Sequence, residues 1–161
     1  MKNKGILIAS SFLLTAFIAL AFSRSSLDHS SHSRPAILHN EDPWKPSQLL
    51  APADLAKTLL DPQAKKTYVY CIGPGAVIKG SINIGPARDS NNLDKLRRQL
   101  SKLPTDATVV IYCGCCPFVH CPNIRPAFAL LNEMKFTHPQ LLNLEHNIKT
   151  DWIDKGYPAE K

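Results

Sequence analysis

The chain has 161 residues, 19 Lys and Arg against 13 Asp and Glu, a net charge of +6 and five cysteines. That length suggests one domain once any targeting segment is set aside. The positive charge is mild and sits in short pairs, Lys65-Lys66 and Arg97-Arg98, with no stripe interleaved with aromatics, which argues against a nucleic-acid partner.

At the N-terminus, Lys2 and Lys4 precede a run of seventeen uncharged residues, 6–22, in which Ala19 and Ala21 stand two apart. A basic region, an apolar region and an A-x-A pattern read as a signal peptide over residues 1–22. Seventeen apolar residues are also the short end of a membrane span, so an uncleaved N-terminal anchor is the alternative. Only that alternative would tie the protein to a membrane. Either way the rest of the chain is expected to be exported, in a periplasmic setting. Residues 23–43 are rich in Ser, His and charge and lack an apolar period, which reads as a flexible linker. Its His29, His32 and His39 are expected to be solvated. The folded domain is expected over residues 44–161.

From Trp44 the pattern changes. "ADLAKTLL" (53–60) has Leu55, Leu59 and Leu60 on one side of a short helix, ended by Asp61-Pro62. "TYVYCI" (67–72) is β-branched and aromatic, hence a strand stopped by Gly73-Pro74-Gly75. "SINI" (81–84) reads as another short strand. Leu93, Leu96, Leu100 and Leu103 fall at helical spacing in residues 91–103, with charge on the other face. "ATVVIYC" (107–113) is a nearly unbroken apolar run, the signature of a strand buried on both faces of a parallel sheet. Residues 124–134 predict a mostly apolar helix, with Asn123 as N-cap and Pro126 in the first turn. Residues 139–144 predict a last strand, and 148–156 a last helix ended by Gly156.

Strands alternating with helices predict an α/β fold with a mostly parallel central sheet and helices on both faces. Such sheets carry their sites at the carboxyl ends of the strands, where Cys113 falls. Four of the five cysteines, Cys113, Cys115, Cys116 and Cys121, lie within nine residues there, beside His120 and ahead of Arg125. The working species of a cysteine is the thiolate, so the site needs a lowered pKa. The start of a helix and Arg125 in its first turn would supply positive potential, and His120 a proton acceptor.

The order of these pieces resembles the rhodanese-like family of sulfurtransferases. Three segments carry the resemblance: "VIKGSINIG" (77–85), "TVVIYC" followed by a loop and a helix, and "NLEHNIKTDWIDKGYP" (143–158), with Trp152, Gly156, Tyr157 and Pro158 in place. The resemblance implies that Cys113 is the catalytic cysteine. It would take sulfur from a small anionic donor as a persulfide and pass it to a thiol acceptor or partner protein. The chain departs from the family in three places. Cys71-Ile72-Gly73 replaces the usual Asp-x-Arg, His146 and Asn147 replace paired glycines, and eleven residues, 114–124, separate Cys113 from Arg125 where the family has a shorter loop.

The extra cysteines leave three uses open. They can brace the loop as disulfides, with Cys71 reaching in from a neighbouring strand end; two bridges would leave Cys113 free. Cys115, Cys116 or Cys121 can act as a resolving thiol on Cys113. Alternatively, Cys113, Cys115, Cys116 and Cys121 form a soft ligand set suited to Cu(I) or Zn. An oxidising compartment favours disulfide or redox use, with no cofactor. The two functional readings are thus a sulfur-transfer or thiol-redox enzyme acting through Cys113, and a non-catalytic metal- or sulfur-binding module. They differ in whether the loop opens an anion-holding cradle or turns its thiols inward.

Overall fold

A computed structural model describes residues 42–160. The signal or anchor segment (1–22) and residues 23–41 of the expected linker lie outside the described residues. The linker's last two positions belong to the domain: Asp42 pairs with Arg125 at 2.7 Å, and the Pro43 carbonyl accepts from the Asn132 side chain at 2.6 Å.

Five strands form one parallel sheet in the order β1-β5-β4-β2-β3. They are β1 (Leu49–Leu50), β2 (Thr67–Cys71), β3 (Ile82–Asn83), β4 (Thr108–Tyr112) and β5 (His138–Leu142). The helices are α1 (Pro52–Leu60), α2 (Ser90–Leu100) and α3 (Ile124–Glu133). The apolar run that predicted a doubly buried strand is β4, in the middle of the sheet. Its side chains alternate strictly, as a period of two requires. Val109, Ile111 and Cys113 enter a core with Leu96 and Leu100 of α2 and Ile124, Phe128 and Leu131 of α3. Val110 and Tyr112 enter the opposite core with Leu55 and Ala56 of α1 and with Trp152. Both faces are therefore covered by helices. Trp44 closes the first core, its ring 5.9 Å from that of Phe128 in a T-shaped contact.

The segments at 77–85 and 143–158 meet. Ile78 bridges Ala159, the Lys79 N–H donates to the Pro158 carbonyl, and the Glu160 N–H to the Val77 carbonyl. Tyr112 fastens the first segment: its hydroxyl accepts the N–H groups of Val77 and Ile78 and lies 3.0 Å from the Ser81 hydroxyl.

Three local expectations are corrected. The last helix is only a π-helical turn, Lys149–Ile153. Side chains take the N–H groups that would open a longer helix: Asp151 accepts from His146 and Asn147, and Asn147 from Thr150. The bonds from Asp154 to Lys149 and from Tyr157 to Trp152 join residues five apart, and this wide turn directs a fully buried Trp152 inward. Second, α2 ends at Leu100, and Leu103 packs from the following turn. Third, Asn123 does not cap α3. Its backbone is already helical (φ −85°, ψ −26°), whereas a cap needs extended backbone, and its side chain is engaged elsewhere.

Candidate functional site

The site begins where β4 ends. Cys71 is in register with Tyr112 across the β2–β4 pair, so those two side chains share one face, and Cys113, one residue on, takes the other. This parity corrects the expectation that Cys71 joins the loop. Its thiol is buried in the α1-side core and lies 3.1 Å from the Gly75 carbonyl. Burial pushes its pKa up.

Beyond Cys113 the chain is held by contacts that involve no sulfur. The Ile148 N–H donates to the Gly114 carbonyl, and the Phe118 N–H to the Leu144 carbonyl, each at 3.0 Å. Residues Phe118–His120 make one 3₁₀ turn between Pro117 and Cys121. Phe118 packs on Trp44 with ring centroids 6.2 Å apart. This path returns Cys121 to the base of the loop beside Cys113. Their exposures are 0% and 1%, while Cys115 is exposed and Cys116 partly so.

The four sulfurs converge. Cys113 Sγ lies 3.4 Å from Cys115 Sγ, Cys115 Sγ lies 3.4 Å from Cys116 Sγ, and all four lie within 4.8 Å of one another. All five cysteines of the chain are free thiols.

Two further residues shape this cluster and were not read as part of it from sequence. The buried amide of Asn123 donates from Nδ2 to Cys113 Sγ at 3.5 Å and accepts the Arg88 N–H at 3.2 Å. Gly73, at the exit of β2, backs onto the same sulfur: a Cβ there would stand 2.8 Å from it. The signal for Gly73 was its place at the carboxyl end of a strand adjacent to β4. The signal for Asn123 was a polar residue at the foot of an otherwise apolar helix.

The electrostatics concentrate charge on one sulfur. Donation from Cys121 lowers the Cys113 pKa to about 5 against the opposing effect of burial, helped by Asn123 and by the N–H and thiol of Cys115. The partners move the other way. Partial burial of its sulfur and its bonds to Cys113 and Cys116 push Cys115 up to about 12. The Cys113 thiolate, to which it donates, and burial push Cys121 up as well.

Two expected site residues are elsewhere. The Arg125 guanidinium donates to the Val119 carbonyl and to Asp42 and lies 5.5 Å from the Trp44 ring centre. These contacts brace the loop and the start of the domain, which corrects its placement beside the thiolate. His120 is exposed, and its ring makes no hydrogen bond among the described residues, so it is not positioned as a base for Cys113. The lowered pKa comes from thiol, amide and backbone donors in place of these two side chains.

No protein-family model, no curated protein and no solved structure matches the chain.

Proposed function

We propose that the loop is a clasp for one soft metal ion, Cu(I) or Zn(II), and that the protein is a metal-binding module on a rhodanese-like scaffold. One observation carries this: four thiols from nine residues converge, with every sulfur within 4.8 Å of the others. A Zn–S bond of about 2.3 Å sets tetrahedral sulfurs about 3.8 Å apart. The distances present bracket that spacing, so small side-chain rotations suffice to close the site. An all-sulfur set selects thiophilic ions over hard ones. The buried pair, Cys113 and Cys121, would form the floor, and Cys115 and Cys116 the outer side. The test is the metal content of reduced full-length protein after loading and desalting. One equivalent in the wild type, lost in Cys113→Ser and Cys121→Ser, supports the clasp. Loading below a tenth of an equivalent in the wild type, on the order of background, refutes it.

A second reading is favoured by the low pKa of Cys113 at the end of the central strand. In it the protein is an exported sulfur-transfer or thiol-redox enzyme. The Cys113 thiolate attacks the outer sulfur of thiosulfate and sulfite leaves; a neighbouring thiolate then attacks the inner sulfur of the persulfide, the S–S bond breaks, hydrosulfide leaves and a disulfide to Cys113 remains. The meeting of segments 77–80 and 158–160 supports the rhodanese-like resemblance on which it rests. Against it stands the near-complete burial of Cys113, which leaves a donor little access. Reduced apo-protein incubated with thiosulfate distinguishes the two. A single added sulfur on the Cys113 peptide favours the enzyme, and an unmodified peptide favours the clasp.

A further inference from the structure

We propose that the four-cysteine centre is a transfer site, which hands its ion to a thiol-bearing acceptor by ligand exchange through Cys115 and Cys116. This rests on the metal reading above and adds the direction and chemistry of release.

Structural zinc sites are closed, and the domains that carry them fold on the metal. Two features set this centre apart. Contacts that involve no sulfur also hold the loop: the Ile148–Gly114 and Phe118–Leu144 hydrogen bonds, the Phe118–Trp44–Phe128 ring contacts and Arg125 on the Val119 carbonyl. The domain also has a core on each face of its sheet. These contacts hold the loop by routes that do not pass through the sulfurs.

The ligand set is also one-sided. Cys113 and Cys121 are sealed in the core, whereas Cys115 is exposed and Cys116 partly exposed. An incoming sulfur can approach only from that outer side. Ligands at 115 and 116 can swing away without opening the core, while displacing Cys113 or Cys121 would disturb packing against α3. The exchange balances without a redox partner. The acceptor thiol binds the metal as a thiolate and gives up its proton, the Cys115 sulfur leaves the metal, and that sulfur takes a proton. Repetition at Cys116 moves the ion outward. An acceptor with two thiols matches this sequence, and thiol donors match the softness of the ion.

The experiment uses reduced full-length protein loaded with one equivalent of Zn(II) and a synthetic peptide carrying two cysteines. Zinc remaining on the protein is followed over time at increasing peptide concentration. The expected release rate rises in proportion to peptide concentration. Cys115→Ser still loads through three thiolates and releases faster, because one displacement is already made. Cys121→Ser loses stoichiometric loading. The circular dichroism of the metal-free protein is expected to match that of the loaded form. A release rate independent of peptide, equal effects of Cys115→Ser and Cys121→Ser, or an unfolded metal-free chain would each overturn the transfer site while leaving the clasp intact. A wild type that takes up no zinc defeats both.

Discussion

Asn123 and Cys113 are joined across the start of α3 by an N–H···S bond of 3.5 Å. The same amide is tied on its oxygen side to the Arg88 N–H, so its orientation is fixed by two elements at once. A donor to a thiolate favours the charged form. Asn123→Ala is therefore expected to raise the Cys113 pKa. A hydrogen bond to a charged group contributes about 1.5–3 kcal/mol at good geometry, which is about one to two pKa units. The length of this bond puts the expectation at the lower end. Thiolate absorbance of the reduced apo-protein against pH measures it; an unchanged midpoint would remove Asn123 from the site.

Gly73 has no side chain because the Cys113 sulfur occupies the place of one. Gly73→Ala puts a Cβ at 2.8 Å from it. The obstacle is a buried cysteine on a central strand, so relief requires rotating that thiol out of the cluster. Overpacking of this kind costs about 1–3 kcal/mol. The expected outcome is a lower urea midpoint together with reduced zinc stoichiometry. Wild-type loading in this variant would show that Cys113 is not a ligand.

Metal affinity should rise with pH. Between about pH 6 and 8, Cys115 and Cys121 hold their protons in the metal-free protein because both are raised, whereas Cys113, at about 5, has already lost its own. Binding must then expel at least the two protons on Cys115 and Cys121. Each expelled proton makes the affinity tenfold tighter per pH unit, so the apparent zinc affinity is expected to rise about a hundredfold or more per unit between about pH 6 and 8. Competition titration against a chelator of known affinity checks this. A slope near zero would mean that the thiols are not the ligands.

Arg125→Ala is expected to loosen the loop and the lead-in to the domain without weakening binding of a small anion. Its partners are the Val119 carbonyl, Asp42 and the Trp44 ring. A partly exposed ion pair contributes about 0–1 kcal/mol and a cation–π contact about 0.5–1 kcal/mol. A small drop in thermal midpoint and faster proteolysis near Trp44 are the expected results. A large loss of thiosulfate affinity would instead place the guanidinium at the thiolate.

The alternation of strands and helices, the central place of β4 and the crowding of four cysteines at its end are legible in the residue pattern alone. Periodicity and spacing are local and are read directly, whereas an extended run of nine residues could hold its thiols far apart, so the convergence of the four sulfurs to within 4.8 Å belongs to the folded loop. Which side chains join them depends on strand register and long-range packing. Cys71 and Cys113 look equivalent as strand-end cysteines, but the pairing of Cys71 with Tyr112 puts them on opposite faces of the sheet. Arg125 and His120 stand beside the cysteines in sequence, yet the 3₁₀ turn leaves one ring in solvent, and Asp42, from far up the chain, draws off the guanidinium. Gly73 and Asn123 enter the site only because β2 lies against β4 and the foot of α3 folds back over Cys113. Register and long-range packing aim these groups, and neither leaves a periodic trace in the chain.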